Sequence, residues 1–432
     1  MNLTTETRRP QANRFKQHPL LTLVAINLAL AVALDATAAT AYRWLVGYSI
    51  HERGRREQER IERLYRIPSD LYHHDLRKLA SVKDVRFGPR IYPLFTDSLG
   101  FRNRAAVEVP ASSDKRRILF LGDSFTEGLG VEYSKSFVGI IADELARHGI
   151  EVMNAGVVSY SPIVYWRKAA YLLDVVGLTV DEVVVHLDVS DIYDEAFRYE
   201  LTSDKRVKFR TTYEEDLKAR QQIPVTLRDV AKQNSLVLYS ALNALADLVN
   251  PSERHRLHEK RYAINQWHAR WTVDGELMQK FGREGLESAS RHMDELLALL
   301  ERRRIPMTLA IQPWPDQVLN NEVDGPQTTF WRDWSAARRV RFIDYFPCYI
   351  QRGRDYEANL RAISERYIAA DVHFNERGHA VIAENFLAAY GMNAEAARPE
   401  CAVEYRNDSP HPLETRDAVS EAPRTIRPPS KG

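Results

Sequence analysis

Five short apolar runs alternate with helical patterns along the middle of this chain: Ile118–Leu121, Glu151–Asn154, Glu182–Leu187, Met307–Ile311 and Val340–Ile343. Glu182–Leu187 is almost continuously apolar, as a strand covered on both faces must be. Between the runs, apolar residues recur at helical spacing. Phe137, Ile140, Ile141 and Leu145 share one face, and Tyr165 to Val176 reads as a helix. Leu286, Met293, Leu296, Leu297 and Leu300 form a stripe, and Ile382, Phe386 and Tyr390 another. Strand–helix alternation predicts an α/β fold of three layers, α/β/α, around a parallel five-stranded sheet.

This pattern occupies residues 115–393. The third and fourth strands are separated by an unusually long stretch, about 195–285, that predicts a helical insertion able to cap a neighbouring site. Ahead of the α/β domain, Leu20 to Leu34 is almost wholly apolar and Ala36 to Tyr42 continues it. Together they make roughly 20 residues, the length needed to cross a bilayer. The reading is a cytoplasmic tail over 1–18 and a transmembrane signal anchor over 19–42, with the remaining chain periplasmic or extracellular. A cleaved signal peptide is the alternative, because Ala36-Thr37-Ala38 fits a small-residue cleavage site. A buried soluble helix is the third. Residues 43–114 read as a juxtamembrane helix and a lead-in. The helix is rich in Arg and Glu and ends by Pro68, a short strand falls within Tyr92 to Phe101, and Ala111 to Lys115 is a linker. Residues 394–432, rich in Pro, Glu, Arg and Ser, predict a disordered tail.

Lys plus Arg is 60 and Asp plus Glu is 59, a formal net charge of +1. That excludes nucleic-acid binding driven by bulk charge. Cys348 and Cys401 are the only cysteines and no CxxC spacing occurs, so no metal site and no cofactor are expected. Outside the cytoplasm the two thiols can pair; otherwise they are unrelated.

Ligands of open parallel sheets bind at the carboxyl ends of the strands. Four marked features fall there. Gly122-Asp123-Ser124-Phe125 follows the first strand and Asn154-Ala155-Gly156 the second. Asp188-Val189-Ser190-Asp191 follows the third, and Asp371-Val372-His373 lies just before the last helix. A serine hydroxyl is a poor nucleophile until a base removes its proton, and histidine titrates near neutral pH. Ser124, His373 and Asp371 therefore form a candidate nucleophile, base and orienting carboxylate. Simpler roles exist for each residue. Asp123 can cap the following helix, the glycines can serve turns, and His379 reads as a polar-face residue.

Gly122-Asp123-Ser124-Phe125, Asn154-Ala155-Gly156 and Asp371-Val372-His373-Phe374-Asn375 resemble the first, glycine and final blocks of the SGNH, or GDSL, hydrolase superfamily. The resemblance covers about residues 115–393 without the insertion. It implies a flavodoxin-like sheet, Ser124 as the acyl-accepting nucleophile, His373 as its base and Asp371 as the orienting acid. The Ser124 and Gly156 N–H groups would bind the oxyanion. The third block departs from the family's Gly-x-Asn-Asp. Here Asp188, Val189, Ser190 and Asp191 stand in its place, so Ser190 takes the asparagine's position. The Asp-x-His spacing resembles membrane-anchored proteins of polysaccharide O-acetylation. That resemblance implies acetyl groups on a carbohydrate as substrate and a membrane acyltransferase as partner.

Gln312-Pro313-Trp314-Pro315 follows the fourth strand, which sets Trp314 at the same rim as a sugar-stacking candidate. Trp267 and Trp271, four apart, can share a helical face; Trp331 and Trp334 read as structural. Rivals to a carbohydrate esterase or O-acetyltransferase are a non-catalytic glycan-binding scaffold and a lipid or thioester hydrolase.

Overall fold

The computed structural model describes residues 18–47, 50–215, 234–249, 258–350, 353 and 355–392. Residues 1–17 of the expected tail over 1–18, the expected tail over 394–432 and Cys401 lie outside them; Cys348 is buried. The chain divides into two compact units. The first takes in the described residues up to Arg60 together with 234–249, and the second those from Ile61 to 215 and from 258 onward.

In the first unit, helix α1 (Pro19–Val46) runs for 28 residues with none of them buried. It is long and apolar enough to cross a membrane, which suits an anchor and a signal sequence alike. Gly47 ends it in a left-handed conformation at φ 83° and donates its N–H to the Arg43 carbonyl. Asp35, inside this apolar helix, accepts the Val237 N–H at 3.1 Å, at the start of the helix Leu236–Val249. Helix α2 (Ile50–Tyr65) follows, ending three residues before Pro68.

The second unit is built on an eight-stranded sheet in the order β12-β11-β8-β6-β7-β5-β4-β3. The expectation of five strands is corrected by this count. Its parallel part comprises β6 (Arg116–Leu121), β7 (Ile150–Asn154), β8 (Glu182–Leu187), β11 (Met307–Ile311) and β12 (Arg341–Asp344). These are the five apolar runs, and helices connect them. β6 lies between β7 and β8, so the strand order reverses at its carboxyl end. That is where a ligand crevice opens in such sheets.

The three additional strands come from the lead-in: β3 (Ser81–Phe87), β4 (Arg90–Thr96) and the two-residue β5 (Arg102–Asn103). They extend the sheet antiparallel beyond β7. β3 is hard to read because it carries Lys83, Asp84 and Arg86 and its register shifts between Val82 and Val85. A second hairpin, β1 (Arg66–Ser69) with β2 (His73–Leu76), precedes them.

Buried polar contacts fix the lead-in to the parallel core. The Lys168 ammonium is fully buried, and it donates to Asp75 Oδ1 at 2.7 Å and to the Ala155 carbonyl at 3.1 Å. Arg66 makes a two-pronged pair with Glu127 at 2.9 and 3.0 Å. Arg102, also buried, donates to the carbonyls of Glu127, Gly128 and Val131.

The stretch between β8 and β11 is not purely helical. After the helical segments Ser190–Tyr193 and Asp194–Arg198 it forms a hairpin of β9 (Tyr199–Leu201) and β10 (Val207–Phe209). Its part 234–249 belongs to the first unit, and its part from 258 returns to the second. Trp271 is wholly buried there and donates its indole N–H to the Val189 carbonyl at 3.1 Å. Trp331 and Trp334 are core residues, at 0% and 4% exposure.

Removing one member of a buried ion pair leaves the other charge uncompensated, at a cost of about 3–5 kcal/mol. Lys168→Ala should therefore lower the thermal midpoint of the detergent-solubilised full chain by at least several degrees. An unchanged midpoint would show that the Lys168–Asp75 contact does not hold the lead-in.

Candidate active site

The chain leaves β6 at Gly122, and Asp123 caps the short helix α3 (Ser124–Glu127) by accepting the Phe125 N–H at 3.0 Å. A side chain is excluded at Gly122, where a Cβ would lie 2.0 Å from Thr126 Oγ1. The turn sets Ser124 at the mouth of the crevice with only 6% of its surface exposed.

His373 and Asp371 reach Ser124 from a hairpin-like turn. Tyr367 and Phe374 form its bridge, and Ile368 N–H donates to the His373 carbonyl at 2.8 Å. Ala370 adopts a left-handed conformation at φ 61°, and its N–H donates to the Arg261 carbonyl at 2.9 Å. Asn375 then starts the last helix, α4 (Glu376–Ala389), by accepting the N–H groups of Arg377 and Gly378.

Ser124 Oγ lies 2.7 Å from His373 Nε2, and His373 Nδ1 lies 2.5 Å from Asp371 Oδ1. A carboxylate only accepts, so Nδ1 carries the proton and Nε2 is free to accept one from the serine. One intervening residue suffices because Asp371 Oδ1 also accepts the His373 backbone N–H at 3.0 Å. The carboxylate thus folds back onto the residue it orients. Burial works to raise the Asp371 pKa, but the hydrogen bond and charge of His373 outweigh it and hold the carboxyl below its ordinary value. Phe125 and Phe87 flank the imidazole at ring separations of 4.9 and 5.2 Å.

The remaining site residues are engaged within the protein. Gly156 N–H donates to Asn154 Oδ1 at 3.0 Å. A Cβ at Gly156 would lie 2.6 Å from Thr126 Cβ, so this glycine permits the close approach of the β7 loop to α3. The Ser190 hydroxyl donates to Asp188 Oδ1 at 2.7 Å. Trp314 is 5% exposed and donates its indole N–H to Asp188 Oδ2 at 3.0 Å, so it braces the third block from within the wall. His379, expected on a polar face, is 1% exposed, and its Nδ1 accepts the Phe137 N–H at 3.2 Å. Burial pushes its pKa down to about 3, so it is neutral. Trp267 and Trp271 share no helical face. Trp267 lies in a turn and Trp271 in a short 3-10 segment, Arg270–Thr272.

One feature was not legible in the sequence. Asp123, Asp188 and Asp191 are buried, with carboxylate oxygens within 4.8 Å of one another. Two full charges at that distance repel by about 3–4 kcal/mol at an effective dielectric of about 20. Burial, then the Asp188 charge, pushes Asp123 well above its ordinary pKa. Burial, then Asp188 and Asp123, does the same for Asp191. Burial and mutual repulsion therefore favour the protonated forms of Asp123 and Asp191. Its oxygens are also met by donors: Ser190 N–H at 2.7 Å and Tyr165 OH at 3.1 Å, besides the Phe125, Ser190 hydroxyl and Trp314 contacts. The spacing of Asp188 and Asp191 hinted at a shared turn, but nothing local pointed to Asp123 joining them.

The upward shift of Asp191 has a measurable consequence. Its folded pKa exceeds its unfolded one, so the native state binds more protons and its stability falls as pH rises above the ordinary carboxylate range. Asp191→Asn removes this dependence. The thermal midpoint of the variant should gain on that of the parent by a few degrees between pH 5 and pH 8. A constant difference would mean that Asp191 is ionised when folded.

No protein-family model and no curated protein matches the chain. Solved structures resemble it at low identity. A lipolytic protein of the G-D-S-L family from Desulfitobacterium hafniense is 13% identical, with a TM-score of 0.32, covering 62% of this chain and 95% of that one. The acetylxylan esterase Axe2 from Geobacillus stearothermophilus is 14% identical, with a TM-score of 0.33, covering 67% and 100%. The α/β hydrolase LAE5 from the metagenome of Lake Arreo, Spain, is 15% identical, with a TM-score of 0.34, covering 66% and 98%.

Proposed function

We propose that this chain is a serine-dependent acyl-transfer enzyme of SGNH type, acting on small ester-linked acyl groups, acetyl foremost, of a cell-envelope carbohydrate. The single observation that carries the reading is the continuous relay from Ser124 Oγ through the His373 ring to Asp371, at 2.7 and 2.5 Å. The low exposure of Ser124 and the aromatic rings beside His373 favour a short acyl group over a long one.

In this mechanism Ser124 Oγ attacks the ester carbonyl carbon as its proton passes to His373 Nε2. Asp371 stabilises the imidazolium and keeps the ring in its working tautomer. The Ser124 N–H, at the start of α3, meets the developing oxyanion, a contribution typically worth roughly 3 kcal/mol. Gly156 and Ser190 can add to it only by giving up the Asn154 and Asp188 bonds described above. The sugar alcohol leaves with the proton from His373, and an acetyl group stays on Ser124. Water then completes an esterase cycle; a second sugar hydroxyl completes an O-acetyltransferase cycle. The α1 helix would anchor this domain at the membrane, facing the periplasm or exterior.

The internal engagement of Gly156 and Ser190 also favours a second reading, a non-catalytic glycan-binding scaffold. One experiment separates the two. With p-nitrophenyl acetate, Ser124→Ala should reduce kcat by at least about a thousandfold, and Asp371→Asn by about a hundredfold or more. Turnover by the folded Ser124→Ala protein equal to that of the parent would remove Ser124 from the mechanism.

A further inference from the structure

Trp267 is 42% exposed, whereas Trp271, Trp314, Trp331 and Trp334 are all at 5% or less. An exposed indole is costly to leave in water and equally costly to order. This one is ordered. Tyr193, Phe281 and His268 meet its ring nearly at right angles, at interplanar angles of 79°, 82° and 83° and separations of 5.0, 5.8 and 6.2 Å. Edge-to-face contacts of this kind fix the ring's orientation. The turn beneath is fixed as well. The buried Asp316 carboxylate accepts the N–H groups of Asn265 at 2.5 Å and Gln266 at 3.0 Å. Asn265 is left-handed at φ 62°, and its side-chain oxygen accepts from Arg270.

A succession of ring contacts links the indole to His373. His268 lies edge-on to Trp314 at 5.2 Å; Trp314 is bonded to Asp188 and lies 6.3 Å from the Phe125 ring, which packs on His373. Tyr193 is two residues beyond Asp191 on the same segment. Rigid aromatic contacts thus run from the imidazole to the exposed indole.

We propose that Trp267 is the platform of a sugar subsite, stacking a pyranose ring of the polysaccharide that carries the ester cleaved at Ser124. The inference rests on the acyl-ester reading above and specifies its substrate as a chain, not a single sugar. A pyranose presents a flat face of C–H bonds to the indole and a rim of hydroxyls to its surroundings. Asn265, Gln266 and Arg270 are the amide and guanidinium groups nearest to Trp267 in sequence, and Asn265 is bonded to Glu259 and Arg270. A long acyl chain would have no use for them. Trp314, enclosed and bonded to Asp188, is the brace that ties this platform to the third block.

The test compares chain lengths. Acetylated xylo-, manno-, cello- and chito-oligosaccharides and an acetylated uronic-acid oligomer are offered as hexamers and as monomers to the detergent-solubilised full chain. The parent should prefer the hexamer of at least one series by about tenfold or more in kcat/KM, expressed mainly in KM. Trp267→Ala should bring that ratio to near one, and Trp267→Phe should restore part of it. A parent without chain-length preference in every series, or a Trp267→Ala protein that keeps it, overturns the proposal. Failure of the acyl-ester reading looks different. In the Ser124→Ala background, calorimetric titration with the unacetylated hexamers should still detect binding that Trp267→Ala removes. Such binding beside unchanged ester turnover in Ser124→Ala would overturn the catalytic assignment and leave the sugar subsite standing.

Discussion

A hydrogen bond between side chains 249 positions apart, Ser124 and His373, is the contact on which the rest of this architecture converges. Neither residue can reach the other without the parallel sheet between them. β6 must end where the strand order reverses, so that its turn opens into a crevice. The final turn must arrive at that same edge with its carboxylate already folded onto the histidine N–H. Each requirement is met by a local device: an Asp123 cap, a glycine too crowded for a side chain, and a left-handed Ala370 before Asp371.

The segment that precedes the α/β domain in the chain is part of this apparatus. Glu127, the last residue of α3, is wholly buried and is held by Arg66 from β1; it also accepts the Val158 N–H at 2.8 Å. Arg102 gathers the carbonyls that follow α3. Two arginines from the lead-in therefore fix the element that carries Ser124 and tie it to the loop after β7. Buried arginines are costly unless several acceptors meet them, and here carbonyls and a carboxylate do. The segment that joins α2 to β6 in sequence thus doubles as support for the nucleophile turn.

The parallel core was legible because strands covered on both faces are largely apolar, as Ile118–Leu121 and Val183–Val185 are. Of the lead-in strands, one was expected within Tyr92 to Phe101, where β4 (Arg90–Thr96) largely lies, whereas β3 was hidden because it is exposed on one face, interrupted by charges and shifted in register. β5 is two residues long and gains its identity only from its neighbours. His379 looked polar on its helix, yet the helix packs against Phe137 and turns that face inward. Ser124, His373 and Asp371 stood out through their residue types and their positions at strand ends. The carboxylate cluster did not, since Asp123 and Asp188 meet only because β6 and β8 are adjacent. The difference between Trp267 and Trp314 was equally hidden. Both lie outside regular strands and helices, but only the fold decides which indole is enclosed.

Labelling with a fluorophosphonate tests the central claim most directly, because the reagent reports an activated serine without requiring the natural ester. Peptide mass spectrometry of the labelled full chain should find the adduct on Ser124, and the adduct should fail to form in His373→Ala. An unlabelled Ser124 in the folded parent, or equal labelling in His373→Ala, would contradict the account.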